Sequence, residues 1–188
     1  ALFRFSDRLL PVLASGLELG RSFVQPCYWG RRSLDYLWYG IGAYLKSKPA
    51  IRYLFGPVSI SQNYPPRAMA MLVHYYSVHY GYSDGLSPVE GRLPYEVPEE
   101  YRDQLQQLMP GVSCRDDFCV LKEQLQQMGM AVPTLYKQYT ELCENGGVSF
   151  LAFNIDPNFS NCIDGFVVVD LHKVKQSKLQ RYMGIESS

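Results

Sequence analysis

Between residues 17 and 80 the chain alternates strand, helix, strand, helix, and this order commits it to two parallel strands joined by a crossover helix. The first helix is the clearest element. Leu34, Leu37, Trp38, Ile41, Tyr44 and Leu45 fall on one face of a 3.6-residue period. Ser33 stands where an N-cap is expected, and Asp35 lies in the first turn, where the helix dipole favours an anion. Lys46 and Lys48 close the far end and Pro49 stops it. Before this helix, LELGRSFVQ at 17–25 reads as a strand, with Gly20 as a bulge or close-approach signal and Pro26 as its end. After it, IRYLFGPVSI at 51–60 reads as a strand in which Gly56-Pro57 marks a bulge or splay, because proline lacks a ladder donor. A second helix follows the turn at Asn63-Tyr64-Pro65-Pro66 and runs to Tyr80.

The remainder is less regular. Residues 1–16 read as a short amphipathic lead-in. Residues 81–115 are rich in glycine, proline and charge, and read as a long surface excursion with a helical patch near 98–108. Helices are expected at 116–129 and 133–145, the latter stopped by Asn145-Gly146-Gly147. VSFLAFNI and IDGFVVVDL form an antiparallel pair around the turn-forming DPNFSN. Residues 1–188 are expected to be one domain, since 188 residues suit a single hydrophobic core.

Eighteen basic and eighteen acidic residues leave no net charge, which argues against a nucleic-acid binder. Five cysteines, at 27, 114, 119, 143 and 162, form no CxxC pair and have no histidine at zinc-ligand spacing. Free, mostly buried thiols in a reducing cytoplasm are the simplest reading. No apolar run approaches the roughly 20 residues of a membrane helix. His74 and His79 are about 140° apart on a helix, so no metal site is expected from them. There is no GxSxG elbow and no cysteine beside a histidine to support a covalent nucleophile.

Two features point to chemistry. Trp29-Gly30-Arg31-Arg32-Ser33 leads into the first helix, and a small-residue loop at a helix N-terminus offers unpaired N–H groups and a positive dipole end to a phosphate. Two arginines there add charge-assisted donors. The competing reading is a capped surface turn. Glu18 interrupts an otherwise apolar strand, so it is either paired with an arginine such as Arg21 or kept as a general base for an attacking amine.

ELGRSFVQP at 18–26, WGRRS at 29–33 and the helix LDYLWYGIGAYL together resemble the donor-binding motif of GNAT-type N-acyltransferases. They are most similar to the branch containing ornithine-lipid synthases and proteins labelled hemolysins. YLFGPVSIS at 53–61, VPTLYKQYTEL at 132–142, DPNFSNCIDGFVVVDL at 156–171 and RYMG at 181–184 resemble later stretches of that branch in the same order. The autoinducer synthases share the glutamate-then-arginine strand. The resemblance implies an α/β fold of the α+β kind, a three-layer α/β/α sandwich around a mixed sheet whose neighbouring parallel strands splay to admit an acyl-pantetheine arm. It implies a fatty acyl group moving from acyl carrier protein, or acyl-CoA, to an amine such as an amino acid in lipid biosynthesis. Glu18 would be the base or amine-positioning residue and Arg21 its partner or an anion clamp. Gly30, Arg31, Arg32 and Ser33 would hold the pantetheine phosphate. Asn63 would touch the donor, and Tyr64, Tyr75 or Tyr76 would protonate the leaving thiolate.

The branch's first strands and helices are missing ahead of Ala1, so the chain reads as the carboxyl-terminal portion of the domain. The lone loop glycine favours the single phosphate of acyl carrier protein over the pyrophosphate of CoA. A cytoplasmic enzyme with peripheral contact to the inner membrane face fits a lipid product. The alternative is a non-catalytic module that binds acyl carrier protein or an acyl chain for a larger acyltransferase. A pore-forming toxin finds no support: the chain shows no secretion signal and no amphipathic β-ribbon.

Overall fold

The computed structural model describes residues 1–20, 25–28 and 31–184. In chain order its elements are β1 (Phe3–Phe5), α1 (Leu10–Ala14), β2 (Gly16–Glu18), α2 (Ser33–Ser47), β3 (Tyr53–Ile60), α3 (Pro66–Tyr80), β4 (Val89–Gly91), α4 (Glu99–Leu108), α5 (Cys114–Gln127), α6 (Thr134–Leu142), β5 (Val148–Asp156), β6 (Cys162–Asp170) and α7 (Gln176–Met183). Among the described residues, β2, β3, β6 and β5 form one mixed sheet in that order, and β1 pairs with β4 as a separate ribbon.

The expected parallel pair is present: Gly16, Leu17 and Glu18 of β2 stand opposite Tyr53, Leu54 and Phe55 of β3. On its other edge β3 keeps an unbroken antiparallel register with β6, from Tyr53↔Asp170 to Ile60↔Ile163. Gly56-Pro57 therefore introduces no bulge toward β6. Its effect falls on the β2 side. The Leu19 N–H donates to the Phe55 carbonyl at 2.8 Å, and Pro57, two residues on and facing the same edge, has no N–H to offer.

Gly56 has a φ of +151°, and a Cβ placed there would lie 2.4 Å from the Leu19 carbonyl oxygen. Only glycine lets β2 approach β3 so closely. Gly56→Ala is expected to lower stability by about 3 kcal/mol through backbone strain. Urea unfolding checks this, and an unchanged midpoint would show that β2 is free to move aside.

The sheet's two faces have separate cores. On one, Leu54, Val58, Ile60, Phe150, Ile163 and Val167 are covered by Trp38 and Leu45 of α2, Met71, Leu72 and Tyr76 of α3, Leu105 of α4, Leu121 and Leu125 of α5, and Tyr136 of α6. On the other, Leu151, Phe166 and Phe55 pack against Phe3 of β1, Leu9, Val89 of β4 and Val12 of α1. Helices thus lie on both sides of the mixed sheet. None of them, among the described residues, is long and apolar enough to cross a membrane.

Several expectations are corrected. The lead-in at 1–16 carries a strand and a short helix, because β1 finds its partner in β4, some 86 residues away. Residues 81–115 are more than a surface excursion: they hold β4 and α4, and Leu105 and Met109 are almost fully buried. The helical patch read at 98–108 coincides with α4. The helix expected to run to 145, stopped by Asn145-Gly146-Gly147, ends at Leu142. Three of the five cysteines, Cys27, Cys114 and Cys119, are exposed, so the thiols are not mostly buried.

Candidate active site

Glu18 is the last residue of β2, exposed, and in register with Phe55. It stands where the described pairing of β2 with β3 stops while β3 continues to Ile60. Arg21 and Gly30 lie outside the described residues.

The arginines at the start of α2 are described. Arg32 occupies the N-cap position, and Ser33, expected there, is the first helical residue. Ser33 Oγ donates to the Tyr28 carbonyl at 3.1 Å, so its hydroxyl ties the incoming chain to the helix and leaves the helix N–H groups uncapped. Arg31 is exposed and, among the described residues, its guanidinium has no partner. Arg32 donates to Asp35 Oδ2 at 2.6 Å, and Arg181 of α7 reaches the same oxygen at 2.7 Å. The Tyr182 hydroxyl donates to Asp35 Oδ1 at 3.0 Å.

Two guanidinium groups, of Arg32 and Arg181, share one carboxylate at a helix N-terminus that Arg31 precedes, which leaves this end positive and suited to an anion. Arg181 and Tyr182 were not singled out from the sequence. Their only signal was the RYMG stretch, and nothing in it indicated a partner 146 residues earlier.

The hydrogen bond from Arg32 first, then those from Arg181 and Tyr182, hold the Asp35 carboxyl down at about 2, against the opposing effect of burial. A depressed carboxylate pKa adds stability above its unfolded value near 4, and that stability is lost as pH falls through the folded value. Arg32 is 69% exposed, so solvent screening reduces the gain to about 1 kcal/mol. Asp35→Asn is accordingly expected to melt a few degrees below the wild type at pH 6. The gap should close as pH drops from about 4 to 2. A gap that persists at pH 2 would trace the loss to packing instead of charge.

Asn63 and Tyr64 lie in the turn between β3 and α3. Asn63 lines a cavity of about 290 Å³ with Ser59, Ser61, Gln62, Phe159 and Cys162. The Tyr64 hydroxyl donates to the Ala131 carbonyl at 2.6 Å, and burial raises its pKa. Five residues of β3 separate Phe55, opposite Glu18, from Ile60, about 17 Å of strand. The fold therefore does not bring Tyr64 within hydrogen-bonding reach of Glu18. Tyr75 bonds Cys114, and Tyr76 is fully buried against Tyr136 and Phe150. Burial raises both pKa values, and both hydroxyls belong to the core.

His74 and His79 serve different partners. His74 Nε2 lies 2.9 Å from the Met109 carbonyl, and His79 Nε2 lies 2.7 Å from Asp117 Oδ2, tying α3 to α5. A grouping the sequence reading missed is Asp156, Cys162 and Asp164, buried side chains on one face of β5 and β6 whose donor atoms lie within 4.8 Å of one another. Ser59 Oγ donates to Asp164. These three could hold a metal ion. The strand pairing, which sets Asp156 opposite Cys162, brings them together across the hairpin.

A family profile for the acetyltransferase (GNAT) domain matches residues 1–39, the stretch holding β2, Glu18 and the start of α2. The fold is GNAT-like. Two curated relatives extend the likeness over nearly the whole chain. A glycine N(alpha)-acyltransferase of Phocaeicola vulgatus is 27% identical over 190 residues, covering 97% of this chain and 57% of that protein. Its namesake in Bacteroides thetaiotaomicron is 25% identical, covering 97% and 55%. The chain thus spans a little over half the length of these relatives. No solved structure matches it. Neither relative's name points to ornithine lipids or hemolysins.

Proposed function

We propose that the protein is an N-acyltransferase that moves an acyl group from a pantetheine thioester to an amine, with glycine as the first acceptor to try. The observation that carries this reading is the end of the described β2–β3 pairing at Glu18, followed in the chain by a helix start that Arg31 and Arg32 precede and Arg181 joins through Asp35. The relatives' name, glycine N(alpha)-acyltransferase, supports the amine and its class.

In this reading the edge of β3 beyond Phe55, past its described pairing with β2, receives the amide groups of the pantetheine arm, and the arginines receive its phosphate. Glu18 takes the proton from the amine as its nitrogen attacks the thioester carbonyl. The carbon–nitrogen bond forms, the carbon–sulfur bond breaks, and the thiolate leaves to be protonated. Because the Tyr64 hydroxyl is occupied by Ala131, solvent is a simpler proton source than Tyr64. Acyl carrier protein as the carrier, a lipid product and peripheral membrane contact extend the same reading.

Thiol release from acyl carrier protein and CoA thioesters, measured with glycine, ornithine or no amine, tests it. Release that requires an amine supports transfer and names the acceptor and carrier. Release equal with and without amine, or none at all, overturns it. Donor binding without release would favour the reading in which the arginine cluster serves a non-catalytic carrier-binding module.

A further inference from the structure

We infer that the outer face of α2 lies on an anionic lipid surface, an inference that rests on the acyl-transfer reading, to whose membrane contact it gives a place. From Tyr36 to Leu45 the helix carries no charged residue. A helix on the outside of a protein ordinarily turns charge toward water, and one that is apolar all round is ordinarily buried. The inner side of α2 follows this rule, with Trp38 and Leu45 in the core. The outer side does not. Tyr36 is 69% exposed and Tyr44 47%, with Leu37 and Tyr39 exposed beside them. At about 100° per residue, Tyr36 and Gly40 point away from Trp38. A Cβ at Gly40 would meet nothing within 4 Å, so the middle of this face is open.

The charges at its ends select the occupant. Arg31 and Arg32 precede the first turn, and Lys46 and Lys48 stand at the last. Asp35, the one acidic residue between positions 31 and 48, is taken up by Arg32 and Arg181. Residues 31–48 thus carry four basic side chains against one acidic, a net of +3 in a chain whose total is zero. Two cationic ends around an aromatic, uncharged middle match a leaflet of anionic lipids. Tyrosine rings settle at headgroup level, bodies toward the acyl chains and hydroxyls toward water. Lysine and arginine stems lie along that surface while their charges meet lipid phosphates.

A second copy of the chain fits this face less well. Both ends of α2 are positive, so a face-to-face pair of these helices sets cation against cation, whether they run parallel or antiparallel. A soluble acidic protein would answer the charges at the ends. Between them, however, the face offers it no ionic partner from Tyr36 to Leu45, about 15 Å of helix. The helix is not long and apolar enough to cross a bilayer, so it would lie along the surface.

Sedimentation of the purified protein with lipid vesicles tests this. Mixed phosphatidylcholine–phosphatidylglycerol vesicles are expected to bind it at least about tenfold more tightly than phosphatidylcholine alone, and salt should weaken the binding. Tyr36→Ser combined with Tyr44→Ser should lower that affinity at least about tenfold. Far-ultraviolet circular dichroism should not change, since both side chains are exposed. Lys46→Glu combined with Lys48→Glu should lower the affinity at least as far and abolish the gain from phosphatidylglycerol. Both double variants should release thiol from soluble CoA thioesters at the wild-type rate. No binding to either vesicle, equal binding to both, or wild-type affinity in either double variant would overturn the assignment, even if amine-dependent thiol release is observed. A wild-type dimer that the tyrosine variant dissolves, without vesicle binding, would overturn it in favour of a second copy. Capture of acyl carrier protein that the lysine variant loses, again without vesicle binding, would overturn it in favour of an acidic protein. Vesicle binding that both variants lose, in a protein that releases no thiol with any amine, would uphold the surface and remove the enzymatic reading instead.

Discussion

Tyr136→Ala is expected to lower the stability of the protein by about 4 kcal/mol, the scale set by truncating a buried aromatic ring. Tyr136 is fully buried on α6, and its ring stacks on Phe150 of β5 with centroids 5.0 Å apart and an interplanar angle of 5°. It also meets Tyr76 of α3 at 4.9 Å. The hydroxyl donates to the Val58 carbonyl of β3 at 2.8 Å, and burial keeps the phenol neutral by raising its pKa.

The sheet is shaped to receive it. A Cβ at Gly165 would lie 2.8 Å from the Tyr136 hydroxyl oxygen, so the glycine of β6 makes the floor on which the ring's tip rests. One side chain therefore joins α3, α6 and three strands. Tyr136→Phe removes only the hydroxyl and is expected to cost about 1 kcal/mol. Urea unfolding at constant m-value measures both. A Tyr136→Ala midpoint within about 1 kcal/mol of the wild type would mean that the sheet and α6 collapse around the hole, and that the ring is not the keystone of this face.

How far the sequence could be read follows from which partners are near in the chain. The α2 stripe from Leu34 to Leu45 and the apolar run of β3 carry their own signals, and the observed Ser33–Ser47 and Tyr53–Ile60 match them closely. The hairpin of β5 and β6 was legible because its turn, DPNFSN, lies between two β-rich runs. By contrast, β1 is three residues long and acquires meaning only from β4. The stretch at 81–115 looked superficial because polar residues dominate α4, yet one buried leucine per few turns, here Leu105, suffices to fix it.

The candidate site shows the same limit. Glu18 drew attention as a lone glutamate in an apolar run that burial would penalise, yet it is exposed at the end of β2, so burial is not what calls for an explanation. The capping role given to Ser33 failed because Tyr28 offers its hydroxyl a nearby acceptor. The linking of Arg32 to Arg181 through Asp35 depends on α7 folding back onto α2, which no local pattern announces. The proximity of Asp156, Cys162 and Asp164 similarly follows from strand register alone.

Glu18→Gln should reduce amine-dependent thiol release by about a hundredfold to ten-thousandfold, the range associated with loss of a positioned general base. The residue is well suited to this test. It is exposed at the end of β2, so an isosteric amide is expected to leave stability within about 0.5 kcal/mol of the wild type. Its backbone continues the β2–β3 pairing whatever the side chain, so the proposed donor seat on the edge of β3 should persist. Loss of activity with the donor's affinity retained would then belong to the proton transfer. If affinity for the donor falls in parallel, Glu18 acts by shaping the thioester's seat and the base must be sought elsewhere. If release proceeds within about threefold of the wild-type rate, Glu18 has neither role. Amine attack would then rely on the small neutral fraction of glycine in solution, and the rate should rise about tenfold per pH unit below the amine's own pKa, with no inflection from the protein.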